Sequence, residues 1–243
     1  AFLQAIPDRM FKESVRDFMV NQQFRKDYWV KGLRTLSPVK RMELLGNERV
    51  ILLTPASDIK LKITTSVGEA NLSEEIYLPI ISILADHKAH SIGQIEAALK
   101  GKGIVFAQIV QALVVLNGLN VVASVCDDAS ISKSRKDCEA LNIKLINAAR
   151  DSNDVSYLAS PVTGGGVMVG RFAQLFVGAS KHGGKTPADL AGVVWSILEA
   201  LGQKLIIEGK TLETREENIA ELTAQAQQFV EKQLPILKAL QIV

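Results

Sequence analysis

Apolar residues recur near the helical period along residues 8–30, where Met10, Phe11, Val15, Phe18, Met19 and Trp29 alternate with charged positions. That spacing predicts an amphipathic helix. Gly32 and the Ser37-Pro38 pair interrupt it, and Pro38 suits the first turn of a short helix running through Leu45. The grammar then shifts. Arg49 to Leu53 and Ile59 to Thr65 are rich in β-branched residues and are parted by Thr54-Pro55-Ala56-Ser57-Asp58. Two strands, or one irregular hairpin, are expected there, with Val67-Gly68-Glu69-Ala70 breaking the pattern.

From Ser73 three helices are expected in quick succession. The first covers about 73–85, with Ser73 as N-cap and Ile76, Ile80, Ile83 and Leu84 facing inward. After a break at Asp86–His90, Ser91 and Gln94 have the spacing of a capping box that opens a second helix through about residue 100. Gly101 and Gly103 flank a tight turn, and a third helix over about 104–117 ends at Asn117-Gly118, followed by a strand-like Leu119 to Val125. Helix, helix, glycine-bearing turn, helix, strand is the order of a winged helix-turn-helix. A polar connector at 130–133 and a helix over about 134–150 come next. Tyr157 to Pro161 and Val167 to Val169 then read as extended pieces around Gly164-Gly165-Gly166, a hairpin or wing. Helices over about 170–180, 187–207 and 214–240 close the chain, the last opened by Thr214 and Glu217 in a capping box and bent at Pro235. The expected fold is mainly α with small β elements, an α+β chain with a winged-helix-like module and a C-terminal helical region. Its division would be residues 1–72, then 73–243, with the winged-helix-like part over 73–128 and a wing and helical extension over 129–243.

Composition changes this picture little. Hydrophobic residues are 47% and charged residues 22% of the chain, which excludes wholesale disorder. The net charge of +2 argues against a general nucleic-acid binder, although residues 1–41 hold nine Lys/Arg against four Asp/Glu. Glu213, Glu216, Glu217, Glu221 and Glu231 give the last helix the opposite sign. Two cysteines, Cys126 and Cys138, build no disulfide framework and fit a reducing cytoplasm. No apolar run has the length of a membrane span and no secretion signal opens the chain, so a cytoplasmic protein with no membrane partner is expected. The chain begins Ala1-Phe2-Leu3, already inside an amphipathic pattern, and the biological protein is expected to begin well upstream.

Candidate chemistry is sparse. A DNA-reading helix offers cationic and amide side chains to bases and phosphates. The third helix of the trio has no charge, only Gln108, Gln111 and Asn117 on an aliphatic surface, so a protein-contact role fits it better than nucleic acid. Gly183-Gly184-Lys185-Thr186 ends like a phosphate-binding loop, but position 179 is alanine where that motif needs glycine, and Pro187 follows at once. A helix end running into a Pro-started helix explains it better. Gly164-Gly165-Gly166 could form a backbone anion nest or a tight turn, and the turn is the simpler reading. His87 and His90 could share one turn, but His182 is distant and no third ligand completes a metal shell. No catalytic, cofactor-binding or metal residue is assigned.

The segment Asp17-Phe18-Met19-Val20-Asn21-Gln22-Gln23-Phe24-Arg25-Lys26-Asp27-Tyr28-Trp29 resembles the closing motif of the methyltransferase regulatory domain, which has the pattern D-[FY]-x2-N-[RQ]-x-F-R. Glu74-Glu75-Ile76-Tyr77-Leu78-Pro79-Ile80 with Leu84-Ala85-Asp86 is similar to the start of that family's winged-helix region. Gly209-Lys210-Thr211-Leu212-Glu213-Thr214 with Glu217-Asn218 is similar to its C-terminal helix. The resemblance implies a parent enzyme like the bacterial protein lysine methyltransferases, with S-adenosylmethionine bound by a separate upstream domain and no cofactor in these residues. Implied partners are that upstream methyltransferase domain of the same chain and a protein substrate, with a homodimer left open. Asn21, Phe24, Arg25 and Trp29 are the candidate interdomain residues, with Phe24, Tyr28 and Trp29 as packing anchors and Arg25 as a partner for a carboxylate or a helix C-terminus. Gly164, Gly165 and Gly166 are a candidate interaction loop. The rival reading is a winged-helix DNA-binding transcriptional regulator.

Overall fold

The computed structural model describes residues 2–25, 30–65 and 68–243. The chain divides into two compact units, Ala1–Pro38 and Val39–Val243. It is mainly α with small β elements, as the periodicity predicts.

In the first unit, helix α1 spans Arg9–Met19, and the Asp8 carboxylate caps it by accepting from the Phe11 N–H at 2.6 Å. The apolar spacing predicted helix to residue 30, yet α1 stops at Met19. Asn21 takes a left-handed φ of 51°. Its N–H donates to the Phe18 carbonyl, and the Gln22 N–H reaches back to the Asp17 carbonyl, the double closure of a Schellman stop. Asparagine tolerates that backbone region, so local chemistry overrides periodicity. Among the described residues of 1–38 none is buried.

The second unit opens with α2 (Pro38–Asn47) and strand β1 (Arg49–Leu52), followed by β2 (Lys62–Thr65) and β3 (Gly68–Asn71). Next come α3 (Glu74–Leu84), β4 (His90–Ser91), α4 (Ile92–Ala98), α5 (Phe106–Gly118) and β5 (Val122–Ser124). Of the two alternatives for 49–53 and 59–65, two separate strands form and the hairpin does not. β2 pairs instead with β3, which occupies the stretch expected to break the pattern. β1 is the centre of a three-stranded sheet of order β4-β1-β5, antiparallel to both neighbours. Burial explains the choice. Val50 and Leu52 point into a core made with Tyr77, Ile80, Leu84, Ile95, Ile109 and Leu116, so β1 serves as the floor of the α3–α5 trio. Ile51, on the other face, belongs to the second core.

That second core is built by α6 (Asp128–Ala148), the hairpin β6 (Tyr157–Ser160) and β7 (Gly165–Met168), and the helices α7 (Arg171–Lys181) and α8 (Pro187–Ala200). The short ribbon β8 (Ile206–Ile207) and β9 (Lys210–Thr211), α9 (Arg215–Gln228) and α10 (Leu234–Ala239) complete the unit. The polar connector expected at 130–133 is helical, because Asp127 caps α6 by accepting from the Ser130 N–H at 2.9 Å. The helix expected through 207 ends at Ala200. Gly202, with φ 64°, closes a second Schellman stop, and Ile206–Ile207 of the following apolar run form a strand. The capping boxes at Ser91–Gln94 and Thr214–Glu217 form as the spacing predicts. Ahead of Pro235, where a bend is expected, one π turn, Phe229–Gln233, carries the helix past a residue with no N–H to donate. The β6–β7 hairpin is a sheet of its own and not a wing of the β4-β1-β5 sheet. No helix among the described residues is long and apolar enough to cross a membrane.

Candidate functional site

The motif at residues 17–25 folds as a staple. Arg25 donates through Nε to Asp17 Oδ2 at 2.9 Å, and its Nη2 bonds the same oxygen, closing the loop that Asn21 begins. Gln22 Nε2 donates to the Phe24 carbonyl within that loop. Aspartate, asparagine and arginine thus serve one purpose, which is to stop the helix and return the chain beside it. Phe24, expected to anchor the helix, is 82% exposed and Phe18 is 88% exposed, so the staple displays both rings outward. Phe11 and Met19 are exposed with them. A shallow cavity of about 310 Å³ lies under the staple, lined by Arg16, Asp17 and Arg25 among others. Tyr28 and Trp29 lie outside the described residues.

Gly164, Gly165 and Gly166 sit at the tip and outer strand of the β6–β7 hairpin. The turn amides are already spent: those of Val162 and Thr163 point to Ser160 Oγ at 3.2 and 3.3 Å, and that of Gly164 donates to the Ser160 carbonyl at 3.0 Å. They do not form an anion nest. Gly164 has φ 66°, and a Cβ there would lie 2.7 Å from Cys126 Sγ, so glycine is required twice over. On the other side of the hairpin the fully buried Asn142 acts as a stand-in strand. Its Oδ1 accepts from the Ala159 N–H at 2.7 Å and its Nδ2 donates to the Ala159 carbonyl at 2.8 Å. Sequence reading missed Asn142. An asparagine on the inner face of a predicted helix was the available signal, since a buried amide needs partners on both its atoms.

The remaining candidates resolve into structure. The phosphate-loop-like run is a helix end followed by a cap: the Gly184 N–H returns to the Ala179 carbonyl, while the Lys185 and Thr186 N–H groups donate to the Asp189 carboxylate at 3.1 and 2.9 Å. Those bonds, chiefly from the Thr186 N–H, hold the Asp189 carboxyl below its ordinary range. Thr214 does the same for Glu217. His90 Nε2 lies 3.0 Å from Asp86, and His87 Nδ1 lies 3.2 Å from the Leu52 carbonyl, so each ring has a local partner. Burial works against the Asp86 charge, but the Lys88 N–H and the His90 ring lower its pKa on balance. Among the described residues no group of three or more His, Cys, Asp or Glu could hold a metal ion. The outward positions of α5, Ala107, Gln111, Val114 and Gly118, carry no charge to meet phosphates. A groove of about 590 Å³ runs over Leu175, Gly178 and Ala179 of α7, with Ile146 and Ile197 on its sides and Arg150 at its rim.

Comparison with known proteins places the first of these features. Residues 1–31 match the model of a family described as a predicted methyltransferase regulatory domain. A methyltransferase-associated regulatory region therefore covers α1 and the staple. Over 240 residues, 99% of this chain, the sequence is 35% identical to the uncharacterized protein sll1526 of Synechocystis sp.. The chain spans about half of that relative, 46% of its length. No solved structure matches the chain.

Proposed function

We propose that this chain is the non-catalytic regulatory and substrate-recognition region of an S-adenosylmethionine-dependent methyltransferase, of the protein lysine kind. Its cofactor-binding domain lies upstream in a longer protein. The observation that carries this reading is a coincidence of position. The stretch that matches the regulatory-domain family is also the stretch where Phe11, Phe18, Met19 and Phe24 stand exposed on a stapled helix. Large apolar side chains gathered on one short element mark a surface that another protein surface covers. In this reading the upstream part of the protein covers it. The α3–α5 trio with its sheet is a winged-helix-like module for contact with protein, since α5 faces outward without charge.

The test uses the upstream part of the natural protein, expressed separately and titrated with S-adenosylmethionine and with this chain. The upstream part should bind the cofactor, this chain should not, and the two should associate. Phe18→Ala with Phe24→Ala should weaken that association by about tenfold or more, the loss of about 1.4 kcal/mol or more. Cofactor binding by this chain itself, or an upstream part that binds no cofactor, overturns the proposal.

A further inference from the structure

Strand β7 has a free edge, and its orientation follows from Asn142. In an antiparallel ladder, residues alternate between pairs that exchange hydrogen bonds across the ladder and pairs whose N–H and C=O point away from it. Ala159 spends both backbone groups on Asn142, outside the hairpin, so the Ala159–Gly166 pair is of the outward kind. The N–H and C=O of Gly166 therefore point away from β6, and those of Met168, two residues on, do likewise. No described residue bonds them. Gly165, Gly166 and Met168 are all exposed, and β6 is the only element with which β7 packs appreciably among the described residues.

We infer that β7 receives an extended peptide segment, which adds a strand to the hairpin along Gly166–Met168. Donor and acceptor alternate along the edge as partial positive and partial negative charge, and an extended backbone carries the complementary series. Three further features fit that occupant. Gly165 and Gly166 bring no side chains to obstruct an approaching backbone. Tyr157 lies across Gly166, where an added Cβ would sit 3.5 Å from the Tyr157 Cβ and Cδ1, so the ring shields the glycine strand on the outward face. Tyr157 and Met168, 53% and 69% exposed, flank Gly166 on that face and would grip an apolar side chain of the peptide. The usual guards of an edge strand, a lysine, a proline or a bulge, are absent from Gly165–Met168. On the opposite edge Asn142 already occupies the outward N–H and C=O of Ala159. This inference does not depend on the methyltransferase reading, because the edge is complementary to a peptide whether or not that peptide is methylated.

The experiment selects linear random dodecapeptides displayed on phage against the chain, then follows amide hydrogen exchange with a synthesised winner. Exchange at the Gly166 and Met168 amides should slow at least tenfold on binding, while the Gly165 and Val167 amides, already bonded to β6, change little. Gly166→Pro removes one outward N–H without touching the hairpin ladder and should weaken binding at least tenfold. Methylating those alternate backbone nitrogens of the peptide whose exchange also slows on binding tests the same bonds with the protein unaltered, and it too should abolish binding. No selected peptide, protection elsewhere on the chain, or full binding by the methylated peptide overturns the inference. Protection of the same amides by raising protein concentration alone would give the edge to a second copy, and would overturn it as well.

Discussion

Single residues in this chain act chiefly by ending or completing backbone structure. Asn21 and Asn120 adopt left-handed conformations where helices stop, and in each case the next N–H reaches back to the helix. The stop expected at Asn117-Gly118 forms there, with α5 ending at Gly118, and Asn120 supplies the left-handed residue two places on. Asn142 completes a strand edge instead. Its replacement by alanine leaves the N–H and C=O of Ala159 without partners at a site packed against α6. Asn142→Ala should therefore lose about 2–3 kcal/mol of unfolding free energy in urea. Asn142→Asp should do no better, because a carboxylate cannot donate to the Ala159 carbonyl. Stability unchanged in both variants would mean that water replaces the amide freely.

At the scale of elements, the contact between α6 and α7 depends on one missing side chain. A Cβ on Gly178 would lie 2.9 Å from Ile146 Cγ2, so the helices approach as closely as they do because position 178 is glycine. Gly178→Ala raises helix propensity yet must push α6 away. The strain should prevail, with a net loss of about 1–2 kcal/mol. Ile146→Ala removes the clashing methyl group, so the double variant should be less destabilised than the sum of the singles. Strict additivity in that cycle would show that α6 yields without cost. The same scale separates what pattern could reveal from what it could not. The α3–α5 trio was legible because caps and apolar periodicity agree within short windows. β8 and β9 were not, since Leu205–Ile207 continues the apolar spacing of α8 beyond Gly202.

For the second unit as a whole, β1 is the shared wall. Val50 and Leu52 enter the core of the α3–α5 trio, and Ile51 enters the core of the C-terminal helices. Two ties join the halves further: Arg49 pairs with Asp128 at 2.8 Å, and Lys232 pairs with Asp58 at 2.7 Å. Exposed pairs contribute little by themselves, so the strand is the stronger link. Residues 39–243 should consequently unfold in one cooperative step. Ile51→Ala should cost about 2–4 kcal/mol and should accelerate amide exchange at Leu116 and at Leu222 by the same factor. Faster exchange at Leu222 alone would show that the cores melt separately.

The sequence by itself determined the mainly α character, the capping boxes at Ser91 and Thr214, the hairpin turn that ends at Gly164 and the passage from a helix end into a Pro-started helix at 183–187. Each of these depends on side chains and backbone groups only a few residues apart, and short windows contain that chemistry whole. The motif at 17–25 was visible as a pattern, but its staple geometry and the outward rings of Phe18 and Phe24 were not. Only the tertiary structure decided that β1 pairs with β4 and β5 while β2 turns to β3, that Asn142 closes one edge of the β6–β7 hairpin, and that the other edge stays open. Those choices compare the burial of one face against many distant partners, and no local spacing carries that comparison.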